Sequence, residues 1–279
     1  MEIASPPRYR GQMAAHVKPV GDLLREWRQR RGSSQLTFAC EADVSAKHLS
    51  FVETGRSVPS REMILHLAGQ LEIPLRERNV LLVAAGYAVA FQERPLSDPA
   101  LQAAQRAVSL VLAGHEPYPA MAVDRHWTIL AANRTFPLLV AGVHPRFLQP
   151  PVNALRVGLH PEGLAPRIAN FAEWRVHVLS RLQHQINVTG DPVLTELKKE
   201  IAAYELPGDA ETVAAPEGEF ASVVVPLRLV TDIGTLNLVS TTTLFGTPLD
   251  ITLEGIAIES FFPADDHAAA ALQRLARMT

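Results

Sequence analysis

Apolar residues recur at intervals of three and four along five short runs between positions 21 and 87, and this spacing predicts five helices. Leu23, Leu24 and Trp27 form the first stripe, followed by the basic run Arg28-Gln29-Arg30-Arg31 and by Gly32, a helix stop. Ser34 is placed to cap a second helix whose inward face reads as Leu36, Ala39 and Cys40. Asp43 sits where a tight turn asks for the left-handed backbone region, which aspartate tolerates. Ser45 caps a third helix with Leu49 and Val52 inward and Gly55 at its end. Ser60 caps a fourth (Met63, Ile64, Leu67, Leu71), and Pro74 opens a fifth that reaches Gly86.

Past position 90 the pattern changes. Pro95 and Ser97-Asp98-Pro99 mark a break. The chain therefore divides into an N-terminal arm (1–20), an all-α five-helix domain (21–90), a linker (91–99) and a rear domain (100–279). Leu101, Val108, Leu110, Val111 and Leu112 predict an amphipathic helix that serves as the first core helix of the rear domain or as a dimer helix. Two short strands, Ala120–Val123 and Trp127–Leu130, are joined by Asp124-Arg125-His126, and Asn133 caps a helix through Phe136 and Leu139. Longer helices are predicted over about 165–187, with Ile168, Phe171, Trp174 and Leu182 inward, and over 193–204. Gly208 to Glu219 reads as a disordered loop. Strands follow at Ala221–Val230, Thr235–Thr243 and about Leu253–Phe262, the first two joined by the turn Thr231-Asp232-Ile233-Gly234. A last helix starts at Asp265. The rear domain is thus α+β, with helices on a small antiparallel sheet.

Composition narrows the options. Hydrophobic residues make up 47% and charged residues 20% of 279, enough apolar material for a sizeable core. No apolar run is long enough for a membrane span, and no secretory signal opens the chain; with a single cysteine, a cytoplasmic protein is expected. The net charge of −3 conceals a split: residues 1–78 carry 12 Lys/Arg against 9 Asp/Glu, and the rest carry 14 against 20. A basic front on an acidic body suits a head that approaches phosphates.

The third predicted helix has the chemistry of a DNA-reading element. It starts at Ser45 and presents Ala46, Lys47, His48, Ser50 and Phe51. Lys47 has the reach and charge to donate to guanine O6 or N7, while Ala46 or Phe51 offers apolar contact to a thymine methyl. Gln35, at the start of the second helix, is placed for a phosphate, and Arg56 and Ser57 follow the third helix as backbone contacts. Glu53 is expected to pair within the domain, since phosphates repel it. Residues 21–73, with Gln35, Ala39, Val44-Ser45, Leu49-Ser50, Glu53, Gly55-Arg56 and Pro59-Ser60, resemble the lambda-repressor/Cro-type helix-turn-helix, the xenobiotic-response-element family. Asp43 departs from that family's commoner glycine.

The rear domain carries a second resemblance. Glu116-Pro117-Tyr118-Pro119-Ala120, Asp124-Arg125-His126-Trp127, Ala132-Asn133 and Leu159-His160-Pro161-Glu162-Gly163-Leu164 are similar to the MmyB-like ligand-binding domain over about 100–275. So are Phe245-Gly246-Thr247-Pro248-Leu249-Asp250 and Glu259-Ser260-Phe261-Phe262-Pro263-Ala264-Asp265. The resemblance implies a PAS-like fold, bacterial transcription regulation and an apolar pocket for a fatty-acid-like ligand. Candidate pocket residues are Trp127, Phe136, Phe171, Trp174 and Phe245, with Arg156, Arg175 or His177 to meet a carboxylate head.

Other chemistries find little support. His177 and His184 lie seven apart with Arg181 between them, but no carboxylate stands at a zinc-binding offset. No nucleophile elbow, phosphate loop or dinucleotide fingerprint occurs, so no enzyme, metal or cofactor is expected. The expected protein is a homodimeric regulator that binds an operator in double-stranded DNA and senses a small apolar or amphipathic molecule. The alternative is a rear domain that only oligomerises, without a ligand.

Overall fold

Three serines start three of the front helices. Ser34, Ser45 and Ser60 accept the backbone N–H of Thr37 (3.1 Å), His48 (3.1 Å) and Met63 (3.2 Å), opening α2 (Gln35–Glu41), α3 (Ala46–Glu53) and α4 (Arg61–Gln70). The computed structural model describes residues 18–92, 94, 98–205, 225–244 and 251–276. α1 (Val20–Arg30) precedes these helices and α5 (Leu75–Ala84) follows them. Asp43 (φ 51°) makes the α2–α3 turn in the left-handed region, as the sequence predicts, and Gly55 (φ 70°) ends α3. Leu24, Phe38, Leu49, Val52, Ile64, Leu67 and Leu82 form the centre of this unit, each no more than 1% exposed.

α2 buries a different face from the one its sequence predicts. Leu36 is 73% exposed and Cys40 is also exposed, while Phe38, Ala39 and Ala42 are buried. Both sides of the seven-residue α2 carry apolar side chains, and the phenylalanine side buries more surface. The single thiol of the folded protein should therefore titrate fully and rapidly with a water-soluble disulfide reagent. Reaction only after denaturation would contradict this placement.

Glu93–Thr279 form the second unit, apart from Met1–Gln92. A 3-10 turn (Pro99–Leu101) leads into α6 (Gln102–Gly114). The strands are β1 (Ala120–Val123), β2 (Ile129–Ala132), β3 (Leu227–Thr231), β4 (Gly234–Leu244) and β5 (Ala257–Pro263). They form one antiparallel sheet in the order β2-β1-β5-β4-β3. Alternation along the strands separates the faces. Ala120, Ala122, Ile256 and Ile258 pack with Val108 and Leu112 of α6. Met121, Val123, Leu227, Leu229, Leu236, Leu238 and Phe261 belong to the larger core. That core also takes residues from α7 (Phe136–Leu139), α8 (Ala154–Leu159), α9 (Phe171–Thr189), α10 (Pro192–Ala202) and α12 (Asp266–Ala276).

Several boundaries differ from the periodicity. The strand expected over Trp127–Leu130 begins at Ile129 and runs to Ala132, because Trp127 takes up a left-handed turn conformation before it. The helix expected from 165 begins at Phe171, after a 3-10 turn at Ala165–Arg167. Residues 168–170 instead pair with β3: Ala169 N–H donates to Arg228 O (2.8 Å), and Arg228 N–H donates to the Asn170 side chain (3.1 Å). The last strand starts at Ala257, because Ile251–Glu254 form a helical turn, α11. Phe245, Ser97, the 208–219 segment and the start of the strand expected from Ala221 lie outside the described residues. Among the described residues no helix is long and apolar enough to cross a membrane.

Candidate nucleic-acid interface and ligand pocket

A buried carboxylate holds the front helices in register. Glu53, at the end of α3, is 2% exposed and receives a two-pronged pair from Arg28 of α1, Nε to Oε1 at 2.7 Å and Nη2 to Oε2 at 2.9 Å. Gln35 Nε2 donates to Oε2 at 3.0 Å, and Arg25 Nη2 to the Glu53 carbonyl at 3.0 Å. Burial pushes the Glu53 carboxyl up, but the hydrogen bonds and charge of Arg28, with Gln35 and Arg25, outweigh it, leaving its pKa below the ordinary carboxylate value. α1, α2 and α3 thus meet at one side chain.

This anchoring leaves the other side of α3 available. Lys47 is exposed; Ser50 and Phe51 are half-buried. Lys47 Nζ lies 5.7 Å and the Arg56 guanidinium carbon 5.9 Å from the centre of the Phe51 ring, so the aromatic carries two cations. The N–H groups of Arg56 and Ser57 both donate to the Phe51 carbonyl (2.8 and 3.1 Å), fixing the segment after Gly55.

In the rear unit, apolar residues of the sheet and of α7, α8 and α9 enclose a cavity of about 80 Å³. Trp127, Phe136, Leu155, Trp174 and Phe261 are in its wall. Trp127 has φ 66°, a left-handed conformation that is unusual and costly for a bulky residue. Asp124 holds it there: its carboxylate accepts the N–H of His126 and of Thr128 (both 2.8 Å), and its carbonyl accepts that of Trp127 (3.0 Å). The indole Nε1–H then donates to Gln185 Oε1 of α9 at 2.9 Å.

Two charged residues line the cavity, Arg181 from α9 and Glu259 from β5. Arg181 Nη2 meets Glu259 Oε1 at 2.7 Å, and the Thr242 hydroxyl donates to the same oxygen at 2.6 Å. The guanidinium also lies 5.4 Å from the centre of the Trp127 ring. Among the described residues, no three His, Cys, Asp or Glu side chains come together to hold a metal ion.

The family model described as MmyB-like transcription regulator ligand binding domain matches residues 104–275, or 172 of the chain's 279 residues. The chain belongs to the MmyB-like transcription regulators. A second family model, a helix-turn-helix domain, matches residues 19–81. The transcriptional regulator ClgR of Mycobacterium tuberculosis, from strains CDC 1551 / Oshkosh and ATCC 25618 / H37Rv, is 40% identical over 83 residues, covering 29% of this chain and 71% of that protein. A solved structure of an RNA-binding light-oxygen-voltage receptor aligns with a TM-score of 0.25 and 12% identity, over 95% of this chain and 65% of that chain. This MmyB-like regulator is a DNA-binding transcription regulator with a ligand-binding domain.

Several sequence candidates fall within the two sites of this MmyB-like regulator, and others do not. Trp127, Phe136 and Trp174 line the cavity; Phe171 is buried core outside its wall. Arg156 is bound by Glu200 (2.8 and 2.7 Å), and Arg175 donates to Ala202 O (2.7 Å), so neither guanidinium is directed at the cavity. His177 packs on Trp174, ring centres 5.5 Å apart, and desolvation together with the Arg181 charge lowers its pKa. In the front unit, Gln35 is committed through its amide to Glu53, Ala46 packs against the core, His48 is half-buried, and Ser45 caps α3.

The sequence reading missed the Arg181–Glu259 pair. Its signal was a lone carboxylate among the apolar residues of β5, and an arginine one helical turn past His177.

Proposed function

We propose that the front domain reads a specific operator with α3, and that the rear domain senses a small apolar or amphipathic molecule and alters operator affinity. The observation that carries this reading is the apolar cavity, with its charged pair Arg181–Glu259, in a domain covalently joined to a DNA-binding head. The strand order β2-β1-β5-β4-β3, with the helices between β2 and β3 packed on one face, supports the PAS-like description. The apolar wall supports the hydrocarbon part of the fatty-acid-like ligand that the resemblance implies. A cytoplasmic homodimer would place two heads on half-sites roughly 34–36 Å apart, or a multiple of that. The ligand would act by preferring one arrangement of the heads, with a coupling of about 1–3 kcal/mol.

Lys47 and Arg56 carry the DNA reading. Lys47→Ala is expected to weaken binding to the protein's own upstream DNA by about 1–3 kcal/mol and to relax preference at one base pair. Arg56→Ala should weaken operator and unrelated DNA alike. Gel retardation with wild-type and scrambled probes measures both, and unchanged binding of both variants would refute the groove assignment. Gln35 is unsuited to this test because it supports Glu53. For the rear domain, organic extraction of purified protein followed by mass spectrometry should release a bound small molecule. Its absence, together with operator binding indifferent to added apolar compounds, would favour a domain that only oligomerises.

A further inference from the structure

We infer that the cavity selects an uncharged hydrogen-bonding head group, such as an alcohol, phenol or amide, on an apolar body, and disfavours a carboxylate or an ammonium. This inference rests on the cavity being a ligand pocket, and it concerns what the polar end of that pocket recognises.

Charge governs what the polar end of the cavity accepts. Of the residues lining the cavity, Arg181 and Glu259 are the two that carry charge, and they face each other at 2.7 Å. The Glu259 side chain is 3% exposed, so water contributes little to its solvation. Arg181 and the Thr242 hydroxyl supply that solvation instead. An arginine awaiting a ligand carboxylate would need its charge uncompensated. Here the protein already provides the carboxylate.

An incoming carboxylate must therefore share Arg181, whose side chain is 29% exposed, with Glu259, and place a second negative charge beside a carboxylate that water barely reaches, which is unfavourable. An incoming ammonium meets the mirror-image conflict with Arg181. A hydroxyl or amide adds no charge. Guanidinium has five N–H donors and a carboxylate accepts at two oxygens, so a neutral head can accept from Arg181 and donate to Glu259 while their pairing persists. The Ser240 hydroxyl, also in the wall, adds a further partner. Contact with the Trp127 ring, 5.4 Å away, restrains the guanidinium from swinging out to a solvent-side anion. The remaining wall is hydrocarbon and aromatic, which fixes the body of the ligand as apolar.

Three probes with the same chain test this: 1-octanol, octanoate and octylammonium, titrated into the full-length protein at neutral pH. Binding is read from the fluorescence of Trp127 and Trp174, both in the cavity wall. The alcohol is expected to bind at least about tenfold more tightly than either ion, given the cost of a desolvated, uncompensated charge. In Glu259→Gln, which frees Arg181, octanoate should gain at least about tenfold relative to octanol. Octanoate or octylammonium matching or exceeding octanol in the wild-type protein would overturn the head-group inference while leaving the ligand pocket intact. If all three probes fail to bind, and extraction yields no small molecule, the pocket reading falls and this inference with it. The wild-type comparison stands even if the variant does not fold.

Discussion

Arg28→Met is expected to destabilise the front domain by about 3–5 kcal/mol, because it leaves a buried carboxylate without its two-pronged partner. Glu53 is 2% exposed, and among the described residues this change leaves its carboxylate with Gln35 and the longer contact to Arg25 at 3.5 Å. Hydrogen exchange at the amides of Leu49 and Val52 reports the loss within this domain alone. A change below about 1 kcal/mol would mean that the pair adds little beyond its own desolvation. The pH dependence gives a second reading. Since Glu53 has a depressed pKa, its contribution is present above the ordinary carboxylate value and is lost as pH falls through the depressed folded value. Arg28→Met should flatten this acid-side loss, because the same side chain causes most of the depression.

Gly21→Ala should be nearly as damaging, at about 3 kcal/mol, the upper end for overpacking a core. A Cβ at Gly21 would lie 2.3 Å from the Val52 carbonyl oxygen and 3.0 Å from the Glu53 carbonyl carbon. Both are backbone atoms at the end of α3, so no side chain can swing aside. α1 must move bodily away from α3, and that movement stretches the Arg28–Glu53 contact as well. The two substitutions should therefore combine to less than the sum of their separate effects. Strict additivity in the same hydrogen-exchange experiment would show that α1 shifts without loosening the ion pair.

Much of the front domain was legible because its signals are local. A serine cap, an aspartate in the left-handed turn and a glycine stop each act within four residues, and each is found where the sequence placed it. The face of α2 was not legible, because Leu36 and Phe38 both offer apolar surface and the choice depends on what α2 meets in space. The same distinction separates the pocket aromatics from its charges. Trp127, Phe136 and Trp174 could be chosen by type. Arg181 could not be preferred over Arg156 or Arg175, since its partners Thr242 and Glu259 are 61 and 78 residues away. Only the packing of α9 over β4 and β5 brings them together.

The inward turn of Arg25 and Arg28 has a consequence for how the head meets DNA. Arg25 and Arg28 both turn to Glu53, and Lys18 pairs with Glu26, so the number of basic residues overstates the cations directed at phosphates. Each phosphate neutralised by a cation releases condensed counterions and adds about 0.9 to the salt slope of binding. A head that directs fewer cations to phosphates gains less of that entropy, and its hold on random sequence would be correspondingly brief. In the proposed homodimer, residence on a target would then fall to base contacts and to two heads engaging together, where the second arrives at high effective concentration. If α3 is the reading helix proposed above, the pair that rigidifies it would also keep it from lingering at the wrong address.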